Sequence, residues 1–104
     1  MTLRATLLLL LFTVLTGCVT TGDVNPMRTD KGRDAARDAY IQLGIGYLQQ
    51  GNTGRAKSPL KKALELDSSN ADAHAALALV FQLEMESELA DEHFRKALSA
   101  RGDD

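Results

Sequence analysis

An all-α fold of two antiparallel helical hairpins, opening a right-handed solenoid behind a signal peptide and a flexible tether, is what the sequence predicts. Three observations carry that prediction: the chain matches itself at an offset of 34 residues, small and large residues recur in each copy at helical spacing, and the amino end carries a short apolar run closed by a cysteine. The 104 residues are 44% apolar and 25% charged with two prolines, which is the composition of an ordered globular chain. Removing the first 17 residues leaves 87, with 11 basic against 14 acidic side chains and a formal charge of about −3. Such a balance excludes a nucleic-acid role, because neutralising a phosphate backbone requires a basic face. Tryptophan is absent and aromatic residues are few, so alanine and leucine must carry the packing.

After Met1 and Arg4 comes an uncharged run from Ala5 to Leu15, eleven residues in all. A membrane-spanning helix needs about 20 apolar residues, and Thr16, Gly17, Thr20, Thr21 and Asp23 end the run too early. It reads as a secretory leader, residues 1–17. The run closes in Leu15-Thr16-Gly17-Cys18, which resembles the lipobox of bacterial lipoproteins. That resemblance implies cleavage before Cys18 and covalent attachment of a diacylglycerol and an acyl chain (palmitate) to Cys18, with no other cofactor. At ~0.8 kcal/mol per buried CH₂, one chain anchors marginally and two or three permanently. Cys18 is the only cysteine, so no intrachain disulfide can form. Val19, where such lipoproteins carry aspartate for retention at the inner membrane, predicts an outer-membrane location facing the periplasm. Residues 18–29, with Thr20, Thr21, Gly22, Asn25 and Pro26, have no apolar periodicity and read as the tether.

The first repeat is predicted over residues 30–70, with an extension at its amino end, and the second over 71–104. At the offset of 34, Asp38 falls on Asp72, Leu43 on Leu77, Ala56 on Ala90, Ala63 on Ala97 and Leu64 on Leu98. Tyr40-x-x-Leu43-Gly44-x-x-Tyr47 with Ala56, Leu60 and Ala63, then His74-x-x-Leu77-Ala78-x-x-Phe81 with Ala90, Phe94 and Ala97, resemble the tetratricopeptide pattern. Small residues at Gly44, Ala56 and Ala63 and their counterparts let two helix backbones approach closely. Tyr40, Leu43, Tyr47, Leu60 and Leu64 are expected to fill the space beside them. The first helix should run from about Asp30 to Gln50, capped by Thr29 or Asp30 and ended by Gly51-Asn52; the next should reach about Leu66. Asp67-Ser68-Ser69-Asn70 combines a stop with a new cap.

Several departures from the pattern carry expectations. Pro59 lies inside the second helix and predicts a kink near its start. The proline usual at Ser68 is missing, which predicts a softer junction. Met85-Glu86-Ser87 replaces the glycine of the second hairpin's turn, which must close without it. Leu89, Phe94 and Leu98 of the last helix have no following partner, so the array looks incomplete against the usual three or so units.

The stretch from Thr29 to Gly44, followed by Gly46-Tyr47-Leu48 and Gly51-Asn52-Thr53, closely resembles the type IV pilus biogenesis lipoproteins called PilF or PilW, as does Ala71 to Ala78. The resemblance covers nearly the whole chain. It implies a pilotin, which takes the pilus secretin to the outer membrane and allows its ring to assemble. The family carries about six repeats, so this chain corresponds to a truncated array.

Arrays of this type bind partners on the face lined by the first helix of each hairpin. By register that face carries Asp38, Ile41, Ile45, Leu48 and Gln49 from repeat one and Asp72, Ala75, Leu79, Gln82 and Leu83 from repeat two, with Ile41, Ile45 and Leu48 as an apolar groove for a secretin segment. No small-molecule substrate is expected, and no enzyme: neither a nucleophile and base nor a phosphate loop stands out. His74 fills the aromatic position of its repeat and is expected to pack there, His93 to sit on a solvated face, and neither to bind metal. The acids Glu84, Glu86, Glu88, Asp91 and Glu92 read as a solvated turn and helix start. Two alternatives remain: an accessory lipoprotein of another envelope assembly, and an accessory subunit of an envelope enzyme.

Overall fold

A computed structural model describes residues 29–102. The leader, Cys18 and the tether up to residue 28 lie outside the described residues, so the expectations placed on them are not addressed by the fold. Four helices follow one another: α1 (Asp30–Gln49), α2 (Thr53–Leu66), α3 (Ala71–Leu83) and α4 (Ser87–Arg101). Among the described residues there is no strand. None of these helices is long and apolar enough to cross a membrane.

Each start is set by a local signal. The Thr29 hydroxyl accepts from the Gly32 amide at 3.0 Å, the Asn52 carboxamide from Arg55 at 3.1 Å and the Asn70 carboxamide from Ala73 at 2.9 Å. These side chains satisfy amides that the helix itself leaves open. α4 lacks such a bond, because Glu86 stands at its cap.

The two hairpin turns are built alike. In the first, Gly51 takes φ +73, its amide donates to the Leu48 carbonyl and the Asn52 amide donates to that of Tyr47, both at 2.9 Å. In the second, Met85 donates to Gln82 at 3.1 Å and Glu86 to Phe81 at 2.8 Å. Every one of those residues is displaced by the repeat offset, and the glycine's role falls to Met85, with φ 63. A side chain in the left-handed region costs roughly 1–2 kcal/mol, which is how the turn closes without glycine.

α1 packs on α2, α3 on α4, and α3 also touches α2 and α1. One core cluster gathers Ala56, Leu60, Ala76, Leu77, Val80, Phe81 and Ala90, with Ile45, Tyr47, Leu48, Leu64 and Phe94 partly buried against it. A second joins Ile41, Ala63 and Ala73. Pro59 is buried inside α2, which runs through it without interruption. The close approach is tightest at Gly44, where a Cβ would meet the Leu60 side chain at 2.5 Å.

One core expectation fails. Leu43 is 49% exposed, whereas its counterpart Leu77 is 1% exposed. The periodicity assigns both to a packed face, but among the described residues only Leu77 has a preceding hairpin to lie against.

Polar contacts join the hairpins at the edges. The Arg37 guanidinium donates to Asp38, Asp34 and Asp67 at 3.0, 3.2 and 3.3 Å, tying α1 to the linker after α2. The hydrogen bond to Asp38, with the nearby carboxylates, raises its pKa above the usual arginine value. Lys57 of α2 meets Glu84 at the end of α3 at 2.6 Å. That hydrogen bond holds the Glu84 carboxyl below its ordinary pKa.

Candidate functional site

Helices α1 and α3 lie side by side as the first members of their hairpins, and an open groove of about 480 Å³ runs between them. α1 contributes Ile41, Gln42, Ile45, Leu48 and Gln49, and α3 contributes Asp72, Ala75, Ala76 and Leu79. The spacing explains the line-up. On α1, residues 41, 45 and 48 are three and four apart, so their side chains stack along one stripe. On α3, residues 72, 75, 76 and 79 do the same.

The structure brings together Ile41, Ile45, Leu48, Gln49, Asp72, Ala75 and Leu79 of the expected contact residues. Their roles differ. Ile41 is buried, packed with Ala63 and Ala73, and forms the base of the groove rather than a surface open to a partner. Ile45 and Leu48 are half-buried against the core, so they present one side outward. Leu79 is 45% exposed and is the freest apolar side chain of the groove. Asp38, Gln82 and Leu83 do not line it. Asp38 is exposed and held by Arg37, while Gln82 and Leu83 are exposed at the last turn of α3. Gln42 and Ala76 line the groove and were missed by register alone, although each directly follows a residue assigned to that face.

The groove is apolar along its length and polar at its ends, with Asp72 at one end and Gln49 on the rim. Asp72 already accepts a hydrogen bond from Arg101 at 3.2 Å, which closes the second hairpin across its base. Such a surface can bury apolar side chains of a chain segment.

The two histidines form a separate arrangement on the other side of α3. His74 is 5% exposed and packs as expected. His93 does not sit on a solvated face: it is half-buried, its Nδ1 lies 3.0 Å from that of His74, and its ring stacks on Phe81 with centroids 5.5 Å apart. The sequence hid this because the partners lie on different helices, 19 residues apart. His74 Nε2 is 2.9 Å from the Ser68 carbonyl oxygen, which can only accept. Neutral His74 therefore carries its proton on Nε2, and its Nδ1 accepts from the Nδ1–H of His93. Burial, followed by His74 and Lys96, pushes the pKa of His93 below its ordinary value. Among the described residues, no three or more histidine, cysteine or acidic side chains are arranged to hold a metal ion.

No family model matches the chain. Over 100 residues, 96% of its length, the chain is 71% identical to the type IV pilus assembly protein PilF of Pseudomonas aeruginosa strain PAO1, and it spans 40% of that protein. A solved structure from a functional characterisation of Pseudomonas aeruginosa pilF superposes with a TM-score of 0.68 at 72% identity, over 69% of this chain and 32% of that one. Sequence and fold agree in that match: over the part that it spans, the chain is similar to PilF and has the same tetratricopeptide-like helical fold.

Proposed function

We propose that the chain works in type IV pilus assembly as a lipid-anchored pilotin of the outer membrane, and that its groove between α1 and α3 takes a segment of the pilus secretin. The observation that carries this reading is the 71% identity to a type IV pilus assembly protein across 96% of the chain. The groove supports it with an open, largely apolar surface suited to a peptide. Cys18, with a diacylglycerol and an acyl chain, would hold the folded hairpins at the periplasmic face of the membrane while residues 19–29 give them reach. The fold then has no need to touch lipid.

The test uses cells that lack the gene. Heat-resistant secretin multimers in outer-membrane fractions should vanish and return when the chain is supplied. Leu79→Asp is the informative variant, since that side chain is 45% exposed and a charge there should leave the fold intact. It should weaken secretin binding about tenfold or more and leave helical content unchanged. Unaltered multimers in the deletion strain would refute the secretin reading, and unchanged binding by Leu79→Asp would refute the groove.

A further inference from the structure

We infer that the groove between α1 and α3 is read in one direction: it takes a segment whose apolar side chains lie over Ile45, Leu48 and Leu79 and whose lysine or arginine lies at Asp38 and Asp72. The inference rests on the groove being a docking site and adds the chemistry that it selects. Charge stands at one end only. Of the residues that line the groove, Asp72 alone is charged, and no lysine or arginine is among them. Asp38 stands one turn before Ile41 and Gln42 on the same face of α1. Ile41 packs with Ala73, the neighbour of Asp72, so both carboxylates lie toward the amino ends of α1 and α3. The opposite end holds Gln49, Gln82 and Leu83, none of them charged.

The needs of the helices account for one of these acids and not for the other. Asp72 is in the first turn of α3, where the helix dipole favours a negative charge. Asp38 stands well past the first turn of α1, beyond the reach of that dipole, yet it is the same residue 34 positions earlier in the repeat. Each carboxylate meets an arginine through a single oxygen: Arg37 Nε reaches Asp38 Oδ1 at 3.0 Å, and Arg101 reaches Asp72 Oδ1 at 3.2 Å. Arg37 is shared with Asp34 and Asp67, so one cation faces three carboxylates and the excess charge around it is negative. The Asp38 and Asp72 side chains are 64% and 72% exposed, and each carboxylate can accept a further hydrogen bond. A basic residue of the partner therefore meets an apolar and a negative surface side by side, whereas an acidic one meets repulsion. Exposed charge pairs contribute modestly, so the two aspartates set direction and selectivity while the apolar side chains supply most of the affinity.

A phage-displayed library of random short peptides, panned against the full chain in a non-ionic detergent, tests this without presupposing the partner. Peptides whose capture is lost in Leu79→Gln are those seated in the groove, and they should be enriched in lysine or arginine at one end of an apolar stretch. The synthetic form of such a peptide should lose about two- to fivefold in affinity for each of Asp38→Asn and Asp72→Asn. Its binding should weaken as salt rises, and less steeply in the double variant. Glutamate in place of its basic residue should weaken binding to the unaltered chain and have little effect in the double variant. Both positions are exposed, so circular dichroism should be unchanged; should Asp72→Asn lose helix through its place in the first turn of α3, Asp38→Asn with the glutamate peptide closes the same cycle. Groove peptides without an excess of basic residues overturn the proposal, as does equal affinity for the asparagine variants or a library that yields no peptide sensitive to Leu79→Gln. The identity of the partner stands apart: peptides of the expected chemistry together with unaltered secretin multimers in the deletion strain would keep this selectivity and remove the secretin.

Discussion

Gly44 is the point where one methyl group has the largest effect on packing. Its absent Cβ would lie 2.5 Å from Leu60 Cγ and 2.6 Å from Cδ2, and Leu60 is fully buried, so it has nowhere to retreat. Gly44→Ala should therefore destabilise the chain by about 1–3 kcal/mol through overpacking, even though alanine is the better helix former. Urea unfolding of the variant measures this directly. The histidine pair predicts a pH effect of definite sign. Burial lowers the His93 pKa, assisted by His74 of α3, Lys96 of α4 and Lys61 of α2, against the opposing pull of Glu92. The unfolded chain therefore binds a proton more readily than the folded one. The stability contributed by neutral His93 is complete above its unfolded value of about 6.5 and is lost as pH falls through the lower folded value. The urea midpoint should drop as pH falls below about 6.5, and His93→Gln should flatten that dependence.

The second hairpin repeats the first with poorer local chemistry. Its turn puts Met85, 90% exposed, where the first has Gly51, and its last helix starts at Glu86 without the side-chain bond that Asn52 makes. Neither deficit breaks the turn, because the backbone hydrogen bonds are the same in both copies and α3 and α4 are held by the buried contacts of Ala78, Ala90 and Ala97. Packing, not capping, decides that the helices form. Met85→Gly should relieve the left-handed strain and, after the added freedom of the unfolded chain is counted, stabilise the protein by about 0.5–1 kcal/mol. A thermal melt that shows no gain would mean that Met85 bears no strain in the turn.

Across the molecule, the architecture was legible because the repeat offset carries its own check: Gly44, Ala56 and Ala63 recur as Ala78, Ala90 and Ala97, and all six are buried. The groove was legible in its main line, since the spacing of Ile45, Leu48 and Leu79 fixes their face, but depth was not. Ile41 reads like Ile45 in the sequence and differs only because Ala63 and Ala73 close over it. Leu43 misled for the opposite reason: periodicity marks a face but not whether a neighbour exists to cover it. His93 was misread because its partner comes from another helix, which no pattern along one helix reveals. A last consequence follows from where the aromatic side chains stand. Both tyrosines, Tyr40 and Tyr47, belong to α1, and the chain has no tryptophan. Its tyrosine emission therefore comes from one hairpin alone, while far-ultraviolet dichroism sums all four helices, so the protein carries a built-in optical label for telling whether its two halves melt together or in turn.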